Sequence, residues 1–326
     1  MRVLVTGAAG FVGGNLTALL KSHNIDVMGI DSYSSYYSQD MKLARNKDLG
    51  ISASISNLDI TDYSKLEQYL KDCKPNVVIH LAAQGGVRAS RTDPTPYISS
   101  NQQGFLNILE LSERYGVEKF IYASSSSVYG DLALAPFKED AILSAPKSLY
   151  ALSKLSNEIV ANHFPSRGMQ RIGLRLFTVY GPWGRPDMAM FRLLATCKLG
   201  EKFQLTANLQ VLRDFTYVSD TSRVILELIT NHSIRNKHEI LNVAGGKPYS
   251  LQDLLDILIE NGLNPIIENR EHDPLDVKMT HGSTQKLTEF NLTLPSTSLA
   301  EGVHQTIQWM NSQTSESIRS WYEYSK

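Results

Sequence analysis

The chain has 326 residues, of which 42% are hydrophobic and 20% are charged, as in ordinary folded proteins. Its formal net charge is -1 and no basic run occurs, so nucleic acid and anionic membranes are not expected partners. No apolar stretch reaches membrane-spanning length. The two cysteines and eight histidines show no metal-site spacing, which predicts no metal ion and favours the reducing cytoplasm.

Short β-branched runs alternate with helix-length segments through the first half of the chain. The runs lie at residues 3–5, 27–30, 77–81, 120–123 and 172–176. Such alternation is typical of βαβ units, and runs this uniformly apolar fit parallel strands that helices cover on both faces. The pattern predicts an α/β fold with a doubly wound parallel sheet, the Rossmann architecture.

The alternation stops at residues 180–187, a loop rich in glycine and proline. We therefore predict a Rossmann domain over residues 1–176, completed by segments that return within about 214–243. Residues 177–213 and 244–326 are expected to form a smaller, discontinuous C-terminal α/β domain that binds the substrate.

The first strand is followed at once by Gly7, Gly10 and Gly13, and a helix begins inside this motif. Glycines here permit a tight turn and bring the backbone close to a pyrophosphate, to which the helix N-terminus offers free amides. A plain glycine turn is the alternative, but the strand before the motif and the helix after it favour a dinucleotide site. Phe11 and Val12 belong to the same loop and are expected cofactor contacts.

Asp31 closes the second strand, where a carboxylate accepts from the adenosine 2′-hydroxyl and repels a 2′-phosphate. Neither Ser32 nor Tyr33 supplies a compensating positive charge, so we expect NAD rather than NADP. Asp59 and Ile60, after the third strand, are placed to bracket the adenine, although an acidic residue in such a turn is also a common helix cap.

Tyr150 and Lys154 are four residues apart, which places both side chains on one face of a helix. The ammonium group can lower the pKa of the tyrosine, so that it exchanges a proton with a substrate hydroxyl. The same spacing occurs at residues 115/119 and 322/326, but only Tyr150 begins a helix-length segment after a loop. The hydroxyl cluster at residues 124–127 ends the preceding strand, where a doubly wound sheet binds its ligands.

Several motifs occur in the order that a known family shows. They are Gly7-x-x-Gly10-x-x-Gly13, His80-Leu-Ala-Ala83, Asn101, Ser124-Ser-Ser-Ser-Val-Tyr-Gly130, Tyr150-x-x-x-Lys154 and Arg213-Asp-Phe-Thr-Tyr217. Over nearly its whole length the chain resembles the NAD-dependent epimerase/dehydratase group of extended short-chain dehydrogenases/reductases. Residues 36–37, 84–88 and 177–188 resemble the branch that epimerises UDP-glucuronate at C4.

The resemblance implies a reaction in which a tyrosine takes the 4-hydroxyl proton and the C4 hydride passes to tightly held NAD. The 4-keto sugar then rotates, and the hydride returns to its other face. Tyr150, Lys154 and Ser125 would be the base, the cation that lowers its pKa and the hydroxyl that hydrogen-bonds the substrate. The family's cofactor contacts would include Leu81, Ala82, Ala83 and Asn101.

For a glucuronate the keto intermediate is a β-keto acid, which tends to lose carbon dioxide, so an epimerase must hold the carboxylate. The resemblance places Thr178 at this carboxylate, with Ser126 or Ser127. Related decarboxylases and 4,6-dehydratases carry an acid in the turn before the Val-Tyr-Gly unit, where this chain has Ser127. This difference favours simple epimerisation.

The family's nucleotide-binding positions correspond to Arg185, Arg192 and Arg213 at the diphosphate, since guanidinium groups pair well with phosphate oxygens. Asp276 resembles the acid that binds the ribose, but the alanine-aspartate pair usual beyond it is replaced by His281-Gly282. Arg88 is a further candidate contact, although its loop could simply close over the cofactor.

Two other functions stay open. A neutral UDP-hexose or another nucleotide sugar is the alternative substrate, and the pocket around Thr178 would decide. A catalytically silent NAD-binding regulator is the other alternative, because fold alone does not guarantee activity. The resemblance also implies a homodimer paired through helices near residues 96–115 and 148–163.

Overall fold

The computed structural model describes residues 1–131, 134–143, 145–206, 208–271 and 277–324. The strands are β1 (Arg2–Thr6), β2 (Asp26–Asp31), β3 (Ile55–Asn57), β4 (Val77–His80), β5 (Lys119–Ser125), β6 (Gln170–Leu176), β7 (Thr178–Tyr180), β8 (Lys202–Leu205), β9 (Leu212–Tyr217), β10 (His238–Val243), β11 (Pro248–Ser250) and β12 (Ile266–Asn269). The α-helices are α1 (Phe11–Ser22), α2 (Gln39–Asp48), α3 (Tyr63–Cys73), α4 (Ala89–Thr92), α5 (Thr95–Ile98), α6 (Phe105–Arg114), α7 (Leu149–His163), α8 (Ala189–Leu199), α9 (Val218–Thr230), α10 (Leu251–Glu260), α11 (Gln285–Glu289), α12 (Leu299–Ser312) and α13 (Ser315–Glu323). Within the described ranges, no helix is both long and apolar enough to cross a membrane.

A seven-stranded parallel sheet forms the larger part of the molecule, with the strand order β10-β6-β5-β4-β1-β2-β3. The chain builds outward from β1 in one direction and from β4 in the other, so the two directions diverge between these neighbours. A doubly wound sheet binds its ligands at the carboxyl ends of the strands beside such a switch point. The topology confirms the predicted Rossmann fold.

The strands of this sheet are buried on both faces. In β1, Val3 and Val5 pack with Leu16 of α1 and Val224 of α9, whereas Leu4 joins the core on the opposite face, formed with α3, α6 and α7. Burial on two sides favours apolar side chains on both faces of a strand, which explains the apolar runs in the sequence.

A second, smaller region contains the sheets β11-β9-β7 and β12-β8, and its core includes residues from α8, α10, α12 and α13. The segment at about 214–243, which was expected to return to the large sheet, divides between the two regions. Helix α9 packs on α1 and strand β10 forms an edge of the large sheet. Residues 214–217 instead belong to β9, which pairs with β7 and β11 in the small sheet.

The segment that follows β2 connects the two regions. Tyr37 and Met41, at the start of α2, are buried in the core of the smaller region, although they follow a strand of the large sheet. Helix α2 therefore lies between the loop after β1 and the smaller region.

Candidate active site

A cleft of about 1590 Å³ runs along the carboxyl ends of the large sheet and beside the smaller region. It is lined by most of the residues that the sequence singled out: Gly7, Gly10, Phe11, Val12, Gly13, Asp31, Asp59, Ile60, Leu81, Ala82, Ala83, Arg88, Ser125, Ser126, Ser127, Tyr150, Lys154, Thr178, Arg185, Arg192 and Arg213. Asn101 is not among the lining residues. Asp276 lies outside the described residues.

The loop after β1 has the geometry that a dinucleotide pyrophosphate requires. Gly7 has a φ of +71°, and a Cβ there would lie 2.7 Å from the Ala82 amide nitrogen. A Cβ on Gly13 would overlap the Gly7 carbonyl oxygen, so helix and loop pack at backbone contact. The N-cap of α1, Gly10, offers no side chain to the first amides, which leaves them for a phosphate. These residues fit NAD.

Asp31 is held in place by backbone amides on both of its oxygens. Its Oδ2 accepts from the Ala9 amide at 3.1 Å and its Oδ1 accepts from the Tyr33 amide at 2.7 Å. The sequence interpretation found no positive charge nearby, but Lys42 of α2 places its Nζ 4.0 Å from Oδ1. Burial lowers the pKa of Lys42. Lys42 could not be identified from the sequence, because it lies eleven residues beyond Asp31 and outside any motif.

Asp59 does not cap the helix that follows it, since Asp62 is the N-cap of α3 and accepts from the Lys65 amide. The Asp59 carboxylate instead accepts from the amide and the hydroxyl of Thr61, both at 2.8 Å. The helix-cap alternative for Asp59 is therefore wrong, while Asp59 and Ile60 both face the cleft.

The resemblance implied Asn101 as a cofactor contact, but this residue does not line the cleft. It is buried in a π-helical turn, Ser99–Gly104. Its amide group accepts from the Gln84 amide at 2.7 Å and donates to the Gln84 carbonyl at 3.0 Å and to Ser153 at 3.1 Å. Asn101 thus fixes the loop after β4 against α7, and its side chain has no donor left for a cofactor in the cleft.

The catalytic candidates meet where β5 ends beside the start of α7. Ser148 caps α7 by accepting from the Ala151 amide at 3.1 Å, which places Tyr150 in the first turn. The Tyr150 phenol hydrogen-bonds the Ser125 hydroxyl. One turn further, Lys154 donates from Nζ to a β5 carbonyl, that of residue 123, at 2.8 Å. The structure therefore brings Tyr150, Lys154 and Ser125 together.

Burial shifts the ionisation of both catalytic candidates. The pKa of Tyr150 is raised overall: burial raises it most, the hydrogen bond from Ser125 and the charge of Arg185 lower it in part, and the charge of Asp187 raises it. Burial lowers the pKa of Lys154 to about 8. The sequence assigned the lowering of the Tyr150 pKa to Lys154, but Nζ lies 6.0 Å from the phenol ring centre and bonds a carbonyl. Ser125 and Arg185 are the groups that lower it here.

Glu158, which the sequence did not identify, extends the same face of α7 by one more turn. Its Oε1 accepts from the Ser124 hydroxyl at 2.5 Å, and its two oxygens accept from Arg175 of β6 at 3.0 and 2.8 Å. Residues 123, 124 and 125 of β5 thus contact Lys154, Glu158 and Tyr150, which lie at intervals of one turn on α7. This arrangement fixes the distance between Ser125 and Tyr150.

The hydroxyl groups expected at a substrate carboxylate differ in their availability. Ser127 donates from its hydroxyl to Ser125 at 2.9 Å and from its amide at 3.2 Å, so it supports Ser125. Ser126 and Thr178 line the cleft, and no hydrogen bond engages their hydroxyl groups among the described residues. Thr178 begins β7, the first strand of the smaller region.

Arg185 lines the cleft and is ion-paired there. Its guanidinium donates to Asp187 at 3.0 and 2.6 Å, and Tyr36 donates to the same carboxylate at 3.0 Å. A Cβ at Gly85 would overlap the Arg185 guanidinium, so the arginine packs closely on the loop after β4. The Arg185 charge lowers the pKa of Tyr150, whereas the Asp187 charge raises it. The assignment of Arg185 to the diphosphate, which the resemblance implied, stays a prediction.

The remaining arginines lie on the side of the cleft formed by the smaller region. Arg88 donates to Thr206 at 2.8 Å, which connects the loop after β4 with the end of β8. The Arg192 guanidinium lies 5.5 Å from the ring centre of Phe203. Arg213 donates to the carbonyl of its own neighbour in β9 at 2.9 Å. Among the described residues, no three His, Cys, Asp or Glu side chains form a group that could hold a metal ion.

A family model described as NAD dependent epimerase/dehydratase family matches residues 3–244, about three quarters of the chain. The chain belongs to this family. Family membership and the fit of the glycine loop identify the protein as an NAD-dependent enzyme of the epimerase type, an isomerase, with NAD as its cofactor.

Individual relatives are similar over almost their whole length. A UDP-glucuronate 4-epimerase from Thermodesulfobacterium geofontis is 34% identical over 311 residues, which are 94% of this chain and 95% of the relative. The crystal structure of UDP-glucuronic acid 4-epimerase from Bacillus cereus, in complex with UDP-glucuronic acid and NAD, has a TM-score of 0.86 and 31% identity, covering 95% of this chain and 99% of that one. UDP-glucose 4-epimerase from Thermus thermophilus, in complex with NAD, has a TM-score of 0.83 and 26% identity, covering 96% and 100%.

Proposed function

We propose that this epimerase interconverts UDP-glucuronate and UDP-galacturonate through a 4-keto intermediate. The observation that carries the proposal is the pairing of Tyr150 with Ser125 at the edge of the NAD site, beside the unengaged hydroxyl groups of Ser126 and Thr178 and the Arg185 cation. In this proposal the base, the hydroxyl that shares its proton and the anion-binding groups would all act on the C4 end of one bound sugar.

The chain's own residues would move the proton. In its phenolate form, which the raised pKa makes the minor form at neutral pH, Tyr150 would remove the proton of the sugar 4-hydroxyl, and Ser125 would share that proton through its hydrogen bond to the phenol. Lys154 has a pKa of about 8 and carries a positive charge in the same buried site when the pH is lower than this value. Bound NAD supplies a reversible hydride acceptor for C4. Because the hydride returns to the other face of the keto sugar, the reaction needs no added oxidant.

Charge and hydrogen bonding support a uronic acid as the substrate. Ser126 and Thr178 offer two donors to a carboxylate, and Arg185 adds a partly buried cation to the same cleft. The turn before the Val-Tyr-Gly unit carries Ser127 rather than an acid, so no carboxyl group stands there to catalyse elimination or decarboxylation. Two of the similar proteins described above are named for UDP-glucuronate or its acid.

One observation favours a neutral UDP-hexose or another nucleotide sugar instead. The charge of Arg185 is already compensated by Asp187, which accepts two of its hydrogen bonds. A site that is neutral overall does not require an anionic sugar.

A substrate panel tests the choice. Purified protein without added NAD is incubated with UDP-glucuronate, UDP-glucose and UDP-N-acetylglucosamine, and products are separated by chromatography and identified by proton NMR. We expect UDP-galacturonate, no UDP-pentose and slow conversion of the neutral sugars. Thr178→Val is the matched variant, which should reduce kcat/KM for UDP-glucuronate by about tenfold or more, because valine has nearly the shape of threonine but no donor for the carboxylate. Conversion confined to the neutral sugars would contradict the substrate assignment.

A second copy of the chain is the proposed partner. Ile98, Leu106, Leu152 and Ile159 are between 40% and 53% exposed on the neighbouring helices α5, α6 and α7. A row of exposed apolar side chains on packed helices fits an isologous dimer interface. The reducing cytoplasm is the proposed location, because Cys73 and Cys197 are both free thiols.

A further inference from the structure

Arg45 of α2 is a fully buried arginine outside the cleft that touches both halves of the site. Its side chain has no exposed surface. One guanidinium nitrogen, Nη1, donates to the Ala9 carbonyl in the glycine loop at 2.6 Å and to the Tyr37 hydroxyl at 3.0 Å. The other, Nη2, donates to the Trp183 carbonyl at 2.9 Å. One group thus joins the cofactor loop to the loop that carries Arg185.

The charge of Arg45 has no carboxylate partner within the described part of the chain, and its Nε has no hydrogen-bond partner there. A Cβ on Gly14 would lie 3.0 Å from the Arg45 side chain, so the cation packs directly behind the first turn of α1. A buried, unpaired charge is costly. The two negative charges of a dinucleotide pyrophosphate, bound at the front of the same turn, would compensate this cost.

On the cofactor side, Ala9 is held from two directions. Its amide donates to Asp31, the predicted ribose ligand, at 3.1 Å, and its carbonyl accepts from Arg45. Loss of Arg45 would therefore free the peptide between Gly7 and Gly10, which has to approach the pyrophosphate closely.

On the substrate side, Trp183 has a φ of +63°, a left-handed conformation that costs energy for a residue with a side chain. Two residues one helical turn apart in α2 maintain it. Arg45 binds the Trp183 carbonyl, and Asp48 accepts from the indole nitrogen at 2.8 Å. Because Arg185 follows two residues later, this clamp sets where its guanidinium enters the site.

We propose that Arg45 is a positioning residue that holds the dinucleotide loop and the Arg185 loop in register, and that its charge increases the affinity for the NAD pyrophosphate. The cofactor half depends only on NAD binding. The substrate half rests on the function proposed above, through the action of Arg185 on Tyr150.

Two variants separate charge from geometry. Arg45→Met keeps most of the buried volume but loses the charge and the bonds, and we expect about tenfold or more weaker NAD binding. Arg45→Lys keeps the charge, but one ammonium cannot span both carbonyls. It should keep most of the NAD affinity, raise the KM for the UDP-sugar and shift the acid limb of the kcat profile to higher pH, because a displaced Arg185 no longer lowers the Tyr150 pKa.

Arg171→Met is the matched control. Arg171 is equally buried, but it pairs with Glu113 at the far side of the large sheet and donates to the carbonyls that end α7. The control should lower the melting temperature and leave NAD affinity and the pH profile unchanged. If the role of Arg45 were merely structural, the Arg45 variants would behave in the same way as this control.

The measurements are NAD retained per chain after gel filtration, Kd of NAD by calorimetry, and kcat and KM across pH. Weakened NAD binding in Arg45→Met supports the cofactor half of the proposal even if the substrate assignment fails, since this measurement needs no UDP-sugar. If Arg45→Met does not fold, Arg45→Lys still tests the proposal, through the KM for the UDP-sugar and the acid limb of the kcat profile. Wild-type NAD affinity in Arg45→Met, or wild-type KM and pH profile in Arg45→Lys, would overturn it.

Discussion

At the level of single residues, the reaction centre depends on a tyrosine whose surroundings distinguish it from every other tyrosine at the same spacing. Tyr150 is half-buried, hydrogen-bonds Ser125 and lies within the field of the Arg185 charge. Tyr115, four residues before Lys119, donates instead to Glu67 on the protein surface. The difference lies in the fold around each pair and not in the spacing.

Replacing these tyrosines tests that difference. Tyr150→Phe should reduce kcat by about a hundredfold or more, because the proton of the 4-hydroxyl loses its acceptor. It should leave bound NAD in place, since the glycine loop is untouched. Tyr115→Phe serves as the control and should keep wild-type turnover. Steady-state rates and NAD content give the answer, and an active Tyr150→Phe enzyme would remove the proposed base.

Burial of the Lys154 ammonium group lowers the stability of the folded protein, and this effect depends on pH. Its pKa falls from 10.5 to about 8 on burial, so the folded state disfavours the charged form. Below about pH 8 the lysine is charged in both states and the cost is complete; above its ordinary pKa it is neutral in both and the cost disappears. A shift of this size is worth up to about 3 kcal/mol.

Lys154→Met should therefore unfold at an equal or higher urea concentration than the wild type at pH 7, although it loses the hydrogen bond to residue 123. The gain should shrink as the pH rises through 8 towards 10. Urea titrations of the NAD-free proteins measure it, with kcat expected to fall sharply. A variant that is less stable than the wild type at pH 7, and as stable as the wild type at high pH, would contradict the predicted sign of the stability change.

The residues that a local motif marks in the sequence lie in the cleft, while their roles stay predictions. Gly7, Asp31 and Tyr150 each follow a strand or begin a helix at a fixed offset, so spacing and context identify them. Arg45 could not be found in this way, because its partners, Ala9 and Trp183, are 36 and 138 residues distant in the chain.

At the level of elements, α7 and β5 form the frame of the site. Their contacts repeat every helical turn, through Tyr150, Lys154 and Glu158, against three consecutive β5 residues. Glu158 and Arg175 form a buried ion pair with side chains that are 7% and 5% exposed. Removing one partner of such a pair leaves a buried charge without compensation.

Glu158→Gln should therefore lower the free energy of unfolding by about 3 kcal/mol. It should also reduce kcat, because Ser124 loses a charged acceptor and Ser125 is its neighbour. Glu67→Gln, which breaks surface pairs with Arg114 and Lys71, is the control and should cost less than about 1 kcal/mol. Urea unfolding compares the two variants. Equal destabilisation would contradict the claim that the buried pair of Glu158 stabilises the fold more than the surface pairs of Glu67.

The same scale shows why some elements were missed in the sequence. Strand β3 has only the residues Ile-Ser-Asn and forms an edge of the sheet, so it shows no apolar run. Strand β9 begins Leu-Arg-Asp, and its place in the small sheet depends on pairing with β7 and β11. The central strands were predicted because burial on both faces leaves a continuous apolar signature.

At the level of the whole molecule, the cleft exists only because two regions meet. The large sheet supplies the dinucleotide loop and the Tyr150 helix, and the smaller region supplies Thr178, Arg192 and Arg213. The place of Arg185 in the cleft depends on how the loop at 180–187 folds back over the sheet, and no sequence pattern specified it.

Assembly is the second property at this scale. If the exposed apolar face of α5, α6 and α7 pairs two chains, Leu152→Glu should yield a monomer, because it buries a charge at the interface. Ile259→Glu, at a comparably exposed position on α10, should leave a dimer. Mass from solution scattering distinguishes them, and a monomeric wild-type protein would exclude the interface.

The most direct test of the central claim follows the hydride itself. UDP-glucuronate deuterated at C4 is incubated with the purified enzyme without added NAD, and the product is examined by proton NMR. We predict UDP-galacturonate that retains deuterium at C4, because the hydride leaves and returns within one closed site. Loss of deuterium to solvent, or release of a pentose or of reduced cofactor in proportion to product, would contradict a redox-neutral 4-epimerisation.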